Sequence, residues 1–302
     1  MAYLLFVLGL ALLVAGGELL VQSGLSLAHK LRLPPLIVGI VLMGVGTSLP
    51  ELSASLGAIL SNPPNPGIAF GNVIGSNISN ILFILGLAAL IYPISINREN
   101  FKRDGLFILL SVVLLGTIMA FGYLDSIIGL FLLLFIAGYF VICYDKQEEL
   151  SVHHIKLKHP VWRLAIFSLI GIGMIIYGAD LLVDTASKMA DVFGISKSVM
   201  GLTLIAFGTS LPEVTVSVVA AYHKQGAIAF GNVIGSNIAN VFLIVGSMGI
   251  ARATAVPQMW HSFWVMACVT VLLLIIGIIG KIPRWVGALF LIGYMIYVYS
   301  LF

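Results

Sequence analysis

GTSLPE at residues 46–51 returns letter for letter at residues 208–213. Each copy lies inside a long apolar run, and each ends on a carboxylate, Glu51 or Glu213. At the centre of a membrane helix such a group costs roughly 2.5–3.5 kcal/mol on insertion scales, so two at matching positions point to function more than to packing. The repetition extends further. IAFGNVIGSNI at 68–78 recurs unchanged at 228–238, and the two motifs keep their order in both halves. Glu18 precedes Glu51 by 33 residues and Asp180 precedes Glu213 by 33, so the chain is a duplication.

The surrounding composition fixes the setting. Of 302 residues 60% are hydrophobic and 9% charged, against about 25% charged in ordinary soluble domains. A bilayer core takes about 20 apolar residues per helix. Ten runs of that kind are predicted, at 2–28, 34–60, 67–94, 104–122, 125–144, 164–189, 195–222, 227–251, 259–279 and 283–301. They are continuous, unlike the alternating strands of about ten residues that build a membrane barrel. The fold class expected is therefore all-α and polytopic. The first run lacks a basic start and a small-residue cleavage site, and reads as a retained helix rather than a leader. Cys143 and Cys268 lie in apolar helices without ligand spacing and read as packing residues. The division is a first five-helix repeat at 1–144, a linker at 145–163 and a second repeat at 164–302. The linker's His153 and His154 read as parts of a solvated loop rather than as a metal site.

Lysine and arginine orient the chain. With ten crossings, one set of loops holds Lys30, Arg32, Arg98, Lys102, Arg103, Lys146, Lys156, Lys158, Arg163, Lys224, Lys281 and Arg284, and the other only Lys188, Lys197 and Arg252. Cytoplasmic loops are the ones enriched in these residues. Both termini are thus expected outside and the linker inside, in the cell membrane. The net charge of +3 reports this topology and not a nucleic-acid surface. Because each half holds an odd number of helices, the second enters from the opposite face and the repeats are inverted. Inverted repeats recur in secondary transporters, with ion sites near the midplane where the halves meet.

The motifs supply the chemistry for such a site. Pro50 has no N–H and its ring presses on the Gly46 carbonyl, so the helix opens there. Freed carbonyls are tolerated at that depth only against protein or a wet cavity, where they can coordinate a cation. Thr47 and Glu51 share a face with Ser48 alongside, as do Thr209, Ser210 and Glu213. Asn72, Ser76 and Asn80 form an i, i+4, i+8 stripe repeated by Asn232, Ser236 and Asn240. Gly71 with Gly75, and Gly231 with Gly235, permit close helix approach. The combined donor set is all oxygen, which suits hard cations such as Ca²⁺ and not zinc, copper or iron. Two glutamates neutralise one Ca²⁺, and several Na⁺ could share the same oxygens in its absence. Glu18 and Asp180 read as inter-helix hydrogen-bond partners or as carboxylates at a water-filled access path, with a ligand role left open. Asp184 and Asp191 are expected toward the outer end of the sixth helix.

GTSLPE followed by GNVIGSNISN, and GTSLPE followed by GNVIGSNIAN, resemble the two alpha repeats of the cation/calcium exchanger superfamily, nearest its prokaryotic sodium/calcium exchangers. The resemblance spans essentially the whole chain. It implies two inverted five-helix halves in which the first and sixth helices slide past the other eight. By that resemblance Glu51 and Glu213 ligate Ca²⁺ and Na⁺, with the carbonyls of Thr47 and Thr209 completing the calcium site. Ser48, Ser76, Ser210 and Ser236, with the carbonyls of Gly44 and Ala206, serve flanking sodium sites. Asn80 and Asn240 take the central positions of the third and eighth helices, where relatives often carry Asp. With amides at both, potassium co-transport is not expected. Nor is allosteric activation by calcium, since the large sensing loop of animal exchangers is missing. The cargo is Ca²⁺ and Na⁺, with no cofactor, no enzyme activity and no obligate protein partner. Proton/calcium exchange and a passive cation channel remain the competing readings; serine-rich flanks favour sodium over protons, and a channel needs no inverted duplication around one site.

Overall fold

The computed structural model describes residues 2–31, 33–145, 159–192 and 206–301. The expected spans appear as helices: α1 (Ala2–Leu31), α2 (Pro35–Leu60), α3 (Pro66–Ile91), α4 (Arg98–Phe121), α5 (Ser126–Asp145), α6 (Val161–Val192), α7 (Ala206–Thr209 and Leu211–Tyr222), α8 (Gly226–Ala251), α9 (Trp260–Ile279) and α10 (Arg284–Tyr299). The start of the seventh span and most of the linker fall outside the described residues. Eight of the helices are long and apolar enough to cross a membrane. Apolar side chains such as Tyr3, Phe121, Ile127 and Trp285 cover the exterior, as a chain solvated by lipid requires.

The interior is ordered by where glycine lets backbones meet. α8 is buried through almost its whole length and runs against the start of α2. A Cβ at Gly231 would lie 2.5 Å from the Leu36 carbonyl oxygen, and one at Gly235 2.4 Å from that of Ile40. Both distances are below any real contact, so the expected small-residue approach is realised here. For Gly71 and Gly75 the equivalent stretch of α7 lies outside the described residues. α1 and α6 pair antiparallel in the same manner. A Cβ at Gly16 would sit 2.9 Å from the Gly171 carbonyl oxygen, a Cβ at Gly178 2.9 Å from that of Gly9, and Ser23 and Ser168 share a 2.9 Å hydroxyl bond.

Two short ribbons clasp the halves. Strand β1 (Ile94–Ser95) pairs antiparallel with β4 (Lys281–Ile282), and β2 (Tyr123–Leu124) pairs with β3 (Thr254–Ala255). Each ribbon takes one strand from either repeat and caps helix ends whose backbone groups would otherwise be unpaired.

Several boundaries shift by about three residues, as where α1 runs on to Leu31 and α6 starts at Val161, and the largest shift is at α4. α4 begins at Arg98, not 104, so Arg103 is a helix residue and not part of a loop. Charged letters interrupted the apolar run, but pairing offsets part of their cost, with Arg103 Nη2 and Asp104 Oδ2 still unpartnered. The Arg103 Nε donates to Asp104 Oδ1 at 2.7 Å, and the Tyr139 hydroxyl of α5 donates to the same oxygen at 3.1 Å. Asp104 is fully buried, and a buried carboxylate persists only with such partners.

Candidate functional site

Both GTSLPE segments break where proline demands it. In α2 the helical segment Val45–Thr47 stops at Ser48 (φ −80°, ψ 5°) and a new helix starts at Leu49; in α7 the break falls at Ser210 (φ −88°, ψ 0°) before Leu211. Glu51 and Glu213 therefore sit in the first turn of a helix, where the positive end of the peptide dipoles favours a carboxylate. At a discontinuous membrane helix the carbonyl end of the preceding segment suits cations. Ahead of the first break, α2 is π-helical over Gly39–Gly44, and α3 and α8 are π-helical over Asn80–Ile84 and Asn240–Val245. Such bulges shift backbone carbonyls off their usual partners and recur at functional sites.

Side chains from the two repeats then interlock. The Ser48 hydroxyl donates to the Gly44 carbonyl at 2.8 Å and to Glu213 Oε1 at 3.3 Å. Ser236 of α8 donates to the same Gly44 carbonyl at 3.2 Å. Thr47 donates to the Met43 carbonyl at 2.9 Å and to Asn232 Oδ1 at 3.3 Å. Ser210 faces Glu51. Glu51, Glu213, Thr47, Ser48, Ser76, Ser210, Ser236, Asn80 and Asn240 are all buried. Thr209 is half-buried. Ala206 opens the short helix before the second break; its side chain lies outside the described residues.

The asparagines divide into two roles that their stripe did not separate. Asn72 donates to the Glu51 carbonyl at 3.1 Å and the Ser55 hydroxyl at 3.0 Å, and Asn232 to the Glu213 carbonyl at 3.2 Å and the Ser217 hydroxyl at 3.0 Å. These two amide nitrogens fasten the broken helices and position the glutamates, and the Asn232 oxygen is taken by Thr47. Deeper in the protein, Asn80 donates to Asn237 Oδ1 at 3.1 Å and Asn240 to Asn77 Oδ1 at 3.4 Å. The reciprocal pair crosses between repeats. Asn77 and Asn237 were not singled out from the sequence, although both lie inside the exact repeat.

Four buried oxygens in this cluster accept no hydrogen bond: Glu51 Oε2, Glu213 Oε2, Asn80 Oδ1 and Asn240 Oδ1; the Asn237 Nδ2 is an unpartnered donor in the same group. Buried polar atoms are ordinarily satisfied. Carboxylate and amide oxygens converging without donors suit a hard cation, which takes oxygen ligands. Among the described residues no group of three or more His, Cys, Asp or Glu could hold a metal, so the soft-ligand alternatives find no support there.

Ten helices in two repeats of opposite sense, with broken helices meeting at an oxygen-lined buried centre, define a membrane protein of the ion-exchanger class. The chain belongs to the sodium/calcium exchanger protein family, whose profile matches residues 1–145 and 163–302. It is 34% identical over 345 residues to the sodium/calcium exchanger MaX1 of Methanosarcina acetivorans, covering 99% of this chain and 98% of that one. It is 37% identical over 300 residues to the membrane protein MJ0091 of Methanocaldococcus jannaschii, covering 98% and 96%. A solved structure of the sodium-calcium exchanger NCX_Mj, from crystals soaked with Na⁺ and no Ca²⁺, superimposes with a TM-score of 0.89 at 34% identity, covering 100% of this chain and 99% of that one.

Proposed function

We propose that this protein is a secondary antiporter that exchanges Na⁺ for Ca²⁺ by alternating access at one central site. The observation that carries the reading is the set of four unpartnered buried oxygens on Glu51, Glu213, Asn80 and Asn240. Two carboxylates balance one Ca²⁺ at the centre, with the carbonyls of Thr47 and Thr209 as further ligands. The Na⁺ ions use the same glutamates together with Ser48, Ser76, Ser210 and Ser236 and the carbonyls of Gly44 and Ala206. Because both cargoes draw on Glu51 and Glu213, occupancy by one excludes the other, which is the requirement for exchange. The interlocked hydroxyls of Ser48 and Ser236 support sodium over protons, since a proton needs only the carboxylates. The positive-inside pattern places both termini outside and the 145–163 linker in the cytoplasm.

The test is calcium uptake into vesicles loaded with sodium, compared with potassium loading and with an imposed pH gradient. Uptake is expected with sodium loading alone. Equal uptake driven by the pH gradient would replace this reading with proton/calcium exchange, and uptake with no counter-ion gradient would indicate a channel.

A further inference from the structure

The two repeats match in sequence but not in how their surfaces are covered. On α7 the face carrying Thr215 and Val219 is occupied by α1: a Cβ at Gly17 would lie 2.9 Å from Thr215 Cγ2 and 3.1 Å from Val219 Cγ2. The equivalent face of α2 carries Ser53 and Gly57. Both are exposed, and a Cβ at Gly57 would meet nothing within 4 Å. The asparagines follow suit, with Asn232 fully buried and Asn72 half-buried. The face is therefore covered where α7 ends and uncovered where α2 ends. On the orientation given above, these are the cytoplasmic and outer faces.

At the covered end one contact joins α1 to the tip of α7. His223, the residue capping the C-terminus of α7, has its Nε2 2.6 Å from Glu18 Oε2, and Gln22 one turn along α1 donates to the other Glu18 oxygen. The pair is part-exposed, with 34% of the His223 side chain and 40% of the Glu18 side chain accessible. The repeat counterpart of Glu18 is Asp180 on α6, and the counterpart of His223 is Ser61, the residue capping the second half of α2. Asp180 is exposed, and Ser61 donates to its own neighbours, the Ala58 and Pro63 carbonyls. So the sequence provides an imidazole for one carboxylate and only a hydroxyl, already engaged, for the other.

We infer that Glu18 and His223 form the latch of the cytoplasmic gate, holding α1 on the Thr215–Val219 face of α7 in an outward-facing state. The inference rests on the alternating-access reading. For the site to open inward, α1 must leave that face and the latch must part, while α6 comes to rest on the exposed Ser53–Gly57 face. The outer gate that would then close has Asp180 without an imidazole opposite, so the resting protein is biased toward outward-facing. Glu18 and His223 touch neither carboxylate of the ion site and act by positioning α1.

The test uses the full chain with Cys143 and Cys268 replaced by alanine and Val219→Cys as reporter, in membrane vesicles of defined sidedness. Glu18→Gln and His223→Gln are each expected to raise labelling by a membrane-impermeant thiol reagent from the cytoplasmic side about two- to five-fold, the range of a part-exposed hydrogen-bonded pair. The exchanged pair, Glu18→His with His223→Glu, is expected to return labelling toward the parent, which a variant that merely misfolds would not do. Ser61→His, supplying the missing outer partner, is expected to raise cytoplasmic labelling as well by stabilising the inward-open state. Unchanged labelling in both single variants, or no recovery in the exchanged pair, overturns the latch. Absence of sodium-driven uptake in the parent refutes the antiport reading instead, because the labelling assay needs no ion flux.

Discussion

Replacing Glu213 by Gln removes one of the two charges that balance a divalent ion while keeping the side chain's size and one oxygen. In a site where Glu51 and Glu213 are each only 1% exposed, the remaining carboxylate leaves bound Ca²⁺ with an excess positive charge that water cannot screen. Breaking one partner of a buried charge pair costs about 3–5 kcal/mol, which corresponds to a roughly 100- to 4,000-fold loss of Ca²⁺ affinity at about 1.4 kcal/mol per tenfold. Ser48→Ala provides the scale for a neutral contact. It removes the 3.3 Å bond to Glu213 and the 2.8 Å bond to Gly44. Interhelical hydrogen bonds in membranes average about 0.6 kcal/mol and reach about 1.7, so the loss is expected to be about 3- to 20-fold. Calorimetric titration of purified, monodisperse protein with Ca²⁺ measures both. A Glu213→Gln variant within tenfold of the parent, or a Ser48→Ala loss as large as that of Glu213→Gln, would refute the charge-balance argument.

Asn232→Ala is expected to lower the melting temperature more than Asn72→Ala, because it strands the Glu213 carbonyl and Ser217 in a fully buried place whereas Asn72 is half-buried. At about 0.6 kcal/mol per bond the loss is about 1 kcal/mol, readable by thermal unfolding in detergent, and equal shifts would count against it. Asn240→Asp introduces a third carboxylate beside Glu51 and Glu213, and is expected to change the preference among Na⁺, K⁺ and Ca²⁺ in vesicle uptake; unchanged selectivity would show that the central amide does not set it. Gly235→Ala places a methyl 2.4 Å from the Ile40 carbonyl oxygen and is expected to destabilise the protein by overpacking, about 1–3 kcal/mol, while Gly57→Ala, with nothing within 4 Å, is expected to leave the melting temperature within about 2 °C of the parent.

The long apolar runs and the duplicated motifs made the helices and their inverted order legible, since hydropathy over 20 residues is a strong signal in a bilayer. GTSLPE located the breaks because proline acts through its own covalent structure. What could not be read depends on contacts between distant parts. Asn77 lies one residue beyond Ser76, off the i, i+4, i+8 stripe, and earns its place only through Asn240 in the other repeat. The π-helical turns keep the same letters as α-helix, so no pattern marks them. The β ribbons are two residues per strand, too short for alternation. Arg103 was assigned to a loop because a charge near a span's end resembles a boundary, and only Asp104 and Tyr139 make it tolerable inside the helix. Glu18 has no partner within reach in sequence except Gln22; His223 is 205 positions away.

On the proposed alternating-access reading, the distribution of the bonds also constrains which helices move. The hydrogen bonds described above at the site join α2, α3, α7 and α8: Ser48 to Glu213, Thr47 to Asn232, Ser236 to Gly44, and the crossed asparagines. None of these bonds involves α1 or α6, which pack on each other through Gly9, Gly16, Gly171 and Gly178. Those close backbone contacts and the Ser23–Ser168 bond fasten α1 and α6 to each other, whereas the crossed amides at the centre fasten the other four helices in one register. A change of access that moved the α2, α3, α7 and α8 core would strand buried donors and acceptors at about 1–3 kcal/mol each. Moving α1 and α6 together strands none of them. The site can therefore stay assembled while its exposure changes, and the cost of the change falls on the contacts of α1 and α6 with that core, such as Gly17 against Thr215 and Glu18 against His223.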